Sequence, residues 1–457
     1  MNKYYRAVAA AHFLLAGVNA QAGMGTVANT FGLLPGDVGS SQASSLFSEE
    51  ASAAYYNPAA LAQTELTQFT PGYLYVSPEL RLHSRGGSNP PTRTGSVLSD
   101  EKNNQVVIGL KLYLNNISPQ DHNISWGLVM AVEDDGKTML NIEDETSQEG
   151  QFMQYGEKPI FVSSSVGAEI RDGWFIGAGS RMNVHGTAPA YVESTLDGQT
   201  SHEIVNVQGS TTFSALVGTL LDFGKLFCED KNRALCKPGL KLAAAYRQES
   251  FYSLELNAVA VIPGTINPPG VPLNVFALDV YMPSIIALGA RYPINDKWFM
   301  DFTYELQRWS DLTDKLKSKP GLNSIKDQAN AQFQDISVPR FALNYKGLKE
   351  YFNLNDRDDL TLIFGFALEE SALKDGLTPD VNWLDNDRTV LSIGTTYTLG
   401  HSTFLNNPLS FTAAYQYHML DDREFQLSNS DAPTEPFETV NADGEVSIMS
   451  FGLNLRF

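Results

Sequence analysis

The chain has 457 residues with 32 Lys or Arg against 52 Asp or Glu, so its formal net charge at pH 7 is −20. That acidic balance argues against nucleic acid as a partner. Its longest apolar run, residues 7–18, is too short for a bilayer-spanning helix, which takes about 20 residues, so a helical inner-membrane protein is excluded.

Residues 1–22 have the pattern of a secretory signal peptide. Lys3 and Arg6 precede the apolar run, and Ala20-Gln21-Ala22 supplies the small residues of a cleavage site, after Ala22 or alternatively after Ala20. In an exported protein, Cys228 and Cys236 are expected to form one disulfide, since the periplasm is oxidising. Two cysteines alone make no zinc site and the histidines are scattered, so no metal and no cofactor is predicted.

Residues 23–65 are predicted to form a plug. Small residues dominate residues 51–62, which allows close backbone packing, and Asn57-Pro58-Ala59 marks a turn or broken helix. Such a segment suits the inside of a cylinder. The alternative is an ordinary alanine-rich helix that ends at a proline.

Residues 66–457 contain about fourteen strand-like segments with alternating hydrophobicity. They lie at residues 68–82, 106–114, 124–132, 160–170, 174–184, 211–221, 240–261, 275–292, 298–309, 340–345, 360–368, 390–399, 410–419 and 446–457. Short and long polar connections alternate between them. Residues 311–332 contain helix formers and are expected to hold a short surface helix.

Alternation and chain ending together predict an all-β fold, a transmembrane antiparallel β-barrel. In residues 298–307, large apolar side chains occupy one face and polar side chains the other, which is typical of a barrel wall between lipid and lumen. A soluble β-sandwich would give the same alternation. The final strand ends at Phe457 with apolar residues on one face, which is similar to the signal by which outer-membrane barrels are recognised for assembly.

Three stretches resemble the outer-membrane long-chain fatty-acid transporter family. They are Asn57-Pro58-Ala59, the YELQRWS run at residues 304–310, and the strand at residues 282–292. The resemblance implies a monomeric barrel closed by an N-terminal hatch in the outer membrane of a Gram-negative bacterium. It also implies passive capture of long-chain fatty acids or similar hydrophobic compounds, with sideways release beside a kinked early strand. By position that strand is residues 124–132, where Gly127 can kink or bulge it, the alternative being a glycine that relieves crowding inside the barrel.

A fatty-acid carboxylate would need a cation inside the barrel. The strand faces place four arginines inward as candidates, Arg247 and Arg291 foremost, followed by Arg340 and Arg181, because a guanidinium can hold a carboxylate through two hydrogen bonds. Arg247 and Arg291 lie on adjacent predicted strands, where they are expected to converge. The alternative is an internal ion-pair network with the inward acids Glu169, Asp301, Glu305 and Glu369.

Other function classes remain as alternatives. The chain has no GxSxG, HExxH or Walker-type motif, so no enzyme is predicted. A general porin would lack a plug. A hydrocarbon uptake channel for aromatics or alkanes, and a surface adhesin or structural barrel, stay open. Besides cargo, the expected partners are outer-membrane lipid and the barrel assembly machinery.

Overall fold

A computed structural model gives the fold. It describes residues 23–24, 27–86, 103–116, 122–132, 140–141, 160–187, 190–194, 200–205, 208–226, 239–261, 271–318, 332–352, 354–355, 358–374, 383–400, 407–428 and 436–457. The signal peptide at residues 1–22 and the pair Cys228 and Cys236 lie outside the described residues, so cleavage and the disulfide stay predictions.

The described chain is built mainly of strands. In chain order they are β1 (Gly23–Met24), β2 (Gln68–Gly86), β3 (Asn103–Tyr113), β4 (Ile124–Val132), β5 (Leu140–Asn141), β6 (Ile160–Arg171), β7 (Trp174–Thr187), β8 (Ala190–Ser194), β9 (Thr200–Val205), β10 (Gln208–Asp222), β11 (Lys241–Arg247), β12 (Ser250–Val261), β13 (Val271–Met282), β14 (Ile285–Pro293), β15 (Trp298–Gln307), β16 (Ile336–Tyr345), β17 (Asp359–Glu369), β18 (Trp383–Leu384), β19 (Arg388–Leu399), β20 (Leu409–Ser428) and β21 (Pro436–Arg456). The α-helices are Val27–Thr30, Pro35–Gly39, Ala53–Tyr56, Phe223–Leu226, Ser310–Ser318 and Leu348–Tyr351, and 3-10 helices span Ser45–Phe47, Pro58–Gln63 and Leu114–Asn116. None of the helices in these ranges is long and apolar enough to cross a membrane.

Fourteen of the strands close into one antiparallel barrel, which confirms the predicted fold class. Their order around the wall is β10-β11-β14-β15-β16-β17-β19-β20-β21-β2-β3-β4-β6-β7, and β7 pairs again with β10. The first and last barrel strands are neighbours, with Gln68 opposite Arg456. Closure leaves no free sheet edge, which is the condition for crossing a bilayer with strands.

The two barrel ends differ in their connections. The turns Asp172-Gly173 and residues 294–297 join strands at the end where β2 begins and β21 stops, whereas residues 308–335 and 370–387 connect strands at the other end. Short turns are periplasmic and long loops extracellular in outer-membrane barrels. The helix Ser310–Ser318 lies in a long loop, as predicted.

The wall faces follow the predicted alternation. In β15, Asp301, Thr303 and Glu305 are buried towards the lumen, whereas Met300 and Tyr304 are exposed. Large outward side chains recur around the barrel, including Phe364, Leu391, Phe411, Met449, Phe451 and Phe457. Their position on the outer face fits contact with lipid.

Two predicted strands are wrong because each spans a break between two observed strands. Residues 240–261 form two strands, because β11 ends at Arg247 and β12 leaves the barrel for a separate five-stranded sheet with β13, β8, β9 and β1. Residues 275–292 likewise divide into β13 and β14 at Pro283-Ser284. Proline lacks the N–H that a central strand donates, so the break falls where pairing changes from one sheet to the other.

The N-terminal residues 27–65, called the plug segment below, lie inside the barrel. Its short helices contact β4, β6, β7, β10, β11, β14, β17, β19, β20 and β21, which together cover most of the wall. Its side chains form the main apolar cluster, with Leu33, Tyr55 and Leu61 no more than 1% exposed. The plug segment therefore fills the lumen at the height where its helices contact the wall.

Candidate transport lumen

Asn57 fixes the turn at the centre of the plug segment. It caps the 3-10 helix Pro58–Gln63, because its Oδ1 accepts a hydrogen bond from the Ala59 amide at 3.3 Å. Its Nδ2 donates to the carbonyls of Leu46 at 2.9 Å and Thr219 at 3.4 Å. One side chain thus joins two parts of the plug segment to barrel strand β10.

Glycines on the facing wall leave the space that this turn occupies. A Cβ on Gly177 would lie 2.3 Å from the carbonyl carbon of Pro58, and one on Gly167 would lie 2.4 Å from its oxygen. On Gly218 it would lie 2.0 Å from Asn57 Oδ1. No side chain fits these spaces, so β6 and β7 touch the plug backbone directly and β10 touches the Asn57 side chain.

Gly127 belongs to the same glycine surface. It faces the lumen, where a Cβ would lie 2.6 Å from Leu61 Cδ2 and 3.0 Å from Ala54 Cβ. The ladders from β4 to β3 and to β6 pass this residue without a register shift. These contacts support the alternative role, relief of crowding, and a lateral opening beside Gly127 stays a prediction.

Hydrogen bonds hold the plug segment on the opposite wall. Ser392 donates to the carbonyl of Gly39 at 2.9 Å, and Thr303 donates to that of Ala43 at 2.8 Å. Gln416 donates to the carbonyl of Val38 at 3.2 Å. Wall side chains therefore donate to three carbonyls of the plug segment, of which that of Val38 also accepts from the Ser41 amide at 3.1 Å.

A chain of ion pairs beside the plug segment joins side chains from five wall strands, β11, β15, β16, β17 and β19. Arg247 binds Glu305 at 2.6 Å, and the second oxygen of Glu305 lies 3.4 Å from Arg340. Arg340 lies 3.9 Å from Glu369, which binds Arg388 at 3.1 Å. Arg340 also donates to the Ser41 carbonyl at 3.2 Å. Two of the predicted carboxylate-binding arginines are thus held by carboxylates of the barrel.

Arg247 retains unpaired donors. Among the described residues, its Nε and Nη1 have no hydrogen-bond acceptor, and the guanidinium lies 5.2 Å from the ring centre of Tyr55 and 5.4 Å from that of Tyr56. Cation–π attraction to both rings stabilises it in this position.

Arg291 is also bound by a carboxylate of the barrel, at a different height in the lumen from Arg247. Its Nε and Nη2 donate to the two oxygens of Asp301 at 2.7 and 2.8 Å. In the β11–β14 ladder Arg291 pairs with Lys241, whereas Arg247 pairs with Ile285. Six residues of strand span roughly 20 Å, so Arg247 and Arg291 do not converge. Arg181, the fourth candidate, is buried on β7 and has an interaction partner of its own.

Asp37 is a buried acid within the plug segment. Its oxygens accept hydrogen bonds from the Leu34 amide at 3.0 Å and from Ser45 Oγ at 2.7 Å. Burial raises its pKa from 3.8 to about 7 in spite of these bonds. The carboxyl therefore changes charge near neutral pH.

A cavity of about 530 Å³ opens at the periplasmic end, between the plug segment and the wall. Its lining combines ions with apolar side chains and consists of Glu49, Gly239, Lys241, Arg291, Pro293, Ile294, Asn295, Asp296, Phe299 and Lys346. We call it the mouth cavity. Arg291 lies 4.8 Å and Lys346 lies 5.2 Å from the ring centre of Phe299.

Sequence reasoning missed the mouth cavity and the glycine surface. The cavity depends on which turn and which part of the plug segment meet, which alternation does not encode. The glycines did carry a signal, because Gly127, Gly167, Gly177 and Gly218 all occupy inward positions of their strands. Within the described ranges, no cluster of three His, Cys, Asp or Glu side chains can hold a metal.

A closed fourteen-strand antiparallel barrel is the architecture of outer-membrane β-barrel proteins. The family model described as "Outer membrane protein transport protein (OMPP1/FadL/TodX)" matches residues 36–457, and the chain belongs to this family. It is 34% identical over 442 residues to alkane uptake protein A of Marinobacter nauticus, covering 95% of this chain and 92% of that protein.

Solved structures agree on the fold. A FadL homologue of Pseudomonas aeruginosa superposes with a TM-score of 0.60 at 15% identity, covering 96% of this chain and 99% of that one. The toluene transporter TodX of P. putida gives 0.51 at 14% identity, with coverages of 92% and 97%. The protein is an outer-membrane β-barrel that transports hydrophobic compounds in a Gram-negative bacterium, as the sequence predicted.

Proposed function

We propose that the preferred cargo is a long uncharged hydrocarbon of the alkane class. The observation that carries this proposal is the state of the lumen cations. Arg247, Arg291 and Arg340 each bind a carboxylate of the barrel. Lys241 donates to Gln63 at 2.6 Å, and Lys111 donates to Thr64 at 2.5 Å.

Charge balance explains why this favours an uncharged cargo. A cargo carboxylate that took over the acid-bound nitrogens of these arginines would displace a protein carboxylate and leave that acid buried without a partner. An alkane has no charge and displaces no protein carboxylate. Each of its methylenes that is buried contributes about 0.8 kcal/mol to binding. The 34% identical relative named for alkane uptake supports the same cargo.

A long-chain carboxylate is the second candidate, on one specific observation. Arg247 is 3% exposed, and its Nε and Nη1 have no acceptor in the part of the chain that the structure describes. Nε–H and Nη1–H do not lie side by side on the guanidinium, so each can donate a separate hydrogen bond to one oxygen of a cargo carboxylate. This candidate therefore predicts that binding depends on Arg247.

Equilibrium binding separates the two candidates. Purified protein in detergent is titrated with radiolabelled hexadecane, and unlabelled hexadecane or hexadecanoate competes. The alkane proposal predicts saturable binding that hexadecanoate displaces poorly, with hexadecane affinity retained in Arg247→Met. Stronger displacement by hexadecanoate, lost in Arg247→Met, would establish the second candidate instead.

Three further parts of the account belong to the same proposal. Residues 1–22 are removed on export, and residues 23–65 act as the hatch of a barrel formed by residues 66–457. The barrel acts as a monomer, since its lumen is filled by its own chain. Outer-membrane lipid surrounds it, and the barrel assembly machinery inserts it through the strand that ends at Phe457.

A further inference from the structure

The connection between β16 and β17 is long for the periplasmic end of the barrel. It runs over residues 346–358, whereas residues 172–173 and 294–297 are enough to join their strands at the same end. Short turns are typical of this end in outer-membrane barrels. The described part of the connection includes the helix Leu348–Tyr351 and Phe352, which follows it. The added length therefore carries a structural element of its own.

Two adjacent aromatic side chains of this connection lie on the surface of the protein. Tyr351 is 80% exposed and Phe352 is 56% exposed. Their ring centres lie 5.2 Å apart with an angle of 84° between the ring planes, so the two rings form one surface. We call them the rim aromatics. A paired surface of this kind leaves more apolar area in water than a single side chain does, and it marks contact with a partner.

The connection begins on the outer face of the wall. Gly347 lies against Tyr345, because a Cβ on Gly347 would lie 2.1 Å from the Tyr345 hydroxyl oxygen. The Tyr345 ring packs on Trp298 with 4.4 Å between the ring centres. Both rings point outwards, because Tyr345 shares its side of β16 with the exposed Phe341 and Trp298 shares its side of β15 with the exposed Met300.

The connection ends on the same face. Asp358 accepts hydrogen bonds from the Tyr397 hydroxyl at 3.4 Å and from the Gly400 amide at 3.1 Å. Tyr397 occupies the outward side of β19, which it shares with the exposed Leu391 and Ile393. Both ends of the connection therefore lie at the lipid-facing margin of the periplasmic rim.

Backbone hydrogen bonds and an ion pair position the helix between these ends. The Lys346 amide donates to the Lys297 carbonyl at 2.8 Å, and Glu350 binds the Lys297 ammonium at 2.5 Å. After the helix, the Leu354 amide donates to the Lys349 carbonyl at 3.1 Å. The rim aromatics are therefore held in place before they meet a partner, which lowers the entropy cost of binding.

We propose that the rim aromatics insert among the phospholipid headgroups of the periplasmic leaflet and anchor this side of the barrel in the outer membrane. The partner follows from continuity, because the rim aromatics extend a band of outward rings at the same end of the wall, Trp298, Tyr345 and Tyr397. Aromatic rings concentrate at membrane–water interfaces in barrels, where one side of a ring is apolar and the other is wet. The inference is independent of the cargo, since the rim aromatics lie outside the lumen.

An added tryptophan reports whether this surface reaches lipid. Phe352→Trp places an indole in the rim aromatics, and Asp296→Trp places one at the same end of the barrel but beside the mouth cavity. Each purified full chain, checked for the heat-modifiable mobility of a folded barrel, is inserted into vesicles of phosphatidylethanolamine and phosphatidylglycerol. Half of the samples contain phospholipid with bromine on the acyl carbons near the headgroup, which quenches indoles that contact lipid. Subtracting the emission of the wild-type chain, which has five tryptophans, leaves the emission of the added ring.

We expect the added emission of Phe352→Trp to lie at a shorter wavelength than that of Asp296→Trp. We also expect it to lose intensity in brominated vesicles, whereas Asp296→Trp keeps its intensity. Unquenched emission from Phe352→Trp, in vesicles whose bromine quenches the tryptophans of the wild-type barrel, would overturn the anchor. Emission at a short wavelength without quenching would overturn it as well, because protein rather than lipid would then cover the ring. Tyr351→Trp is read by the same two criteria if Phe352→Trp does not fold.

Discussion

Asp301 accepts two hydrogen bonds from Arg291, with Nε–Oδ1 and Nη2–Oδ2 distances of 2.7 and 2.8 Å. The same carboxylate accepts a third from Ser44 at 2.6 Å. One fully buried acid therefore joins β14, β15 and the plug segment. Asp301 therefore contributes to holding the plug segment against the wall.

Ser44→Ala should loosen the plug segment. The change removes a hydrogen bond to a charged group, which typically contributes about 1.5–3 kcal/mol. We expect a lower midpoint of heat unfolding, followed by gel mobility of the folded and unfolded forms, and a faster uptake of hexadecane. Ser180→Ala, on the outward side of β7, is the control. Equal midpoints for the two variants would contradict the role of Ser44.

Gly177→Ala should displace the plug segment from its wall. The added Cβ would lie 2.3 Å from the Pro58 carbonyl carbon, whereas the same substitution at Gly36 places its Cβ in open space. Overpacking of this kind costs about 1–3 kcal/mol. Limited proteolysis with a protease that cleaves after aromatic residues should therefore reach Tyr55 and Tyr56 in Gly177→Ala but not in Gly36→Ala. Equal protection in both variants would show that the glycine surface does not hold the plug segment.

Asp37 should make the plug segment sensitive to pH. Its pKa rises from 3.8 in the unfolded chain to about 7 when the segment is buried. Between these two pKa values the folded state binds more protons than the unfolded state. The stability that the Asp37 carboxyl contributes to the folded state is therefore fully present below about pH 4 and falls as pH rises towards about 7. Asp37→Asn cannot ionise. Heat-unfolding midpoints at several pH values should decline less across this window in Asp37→Asn, and parallel curves for the two proteins would contradict the assignment.

Arg247 and Glu305 should be energetically coupled. Removing one member of a buried pair costs about 3–5 kcal/mol, because the other charge loses its partner. Arg247→Met alone should therefore be strongly destabilising, whereas Arg247→Met combined with Glu305→Gln should recover part of the loss. A double-mutant cycle on the unfolding midpoint measures this coupling. Simple additivity of the two changes would contradict a direct pair.

The fold was largely predictable because the alternation of hydrophobicity is a local property. Residues 298–307 alternate between lipid and lumen with no interruption, and the structure confirms both the strand and its faces. The same rule failed where a strand leaves the barrel. Neither Gln248-Glu249 nor Pro283-Ser284 interrupts hydrophobicity enough to show that β12 and β13 belong to another sheet.

The site was less predictable because it depends on register and on the plug segment. Sequence alone placed Arg247 and Arg291 on adjacent strands and facing inward, both correctly. It did not show that they are offset by six residue positions along the ladder or that each has its own carboxylate partner. Those facts follow from strand lengths and turn positions, which alternation does not determine to a single residue.

Uptake of radiolabelled hexadecane by intact cells tests the central claim most directly. Cells that contain only this transporter are compared with cells that carry the empty vector and with cells that contain the chain without residues 23–65, each checked for a folded barrel. The account predicts saturable uptake above the empty vector for the full chain, with little inhibition by hexadecanoate. Uptake no faster than the empty vector, with a folded full-length barrel in the outer membrane, would contradict it.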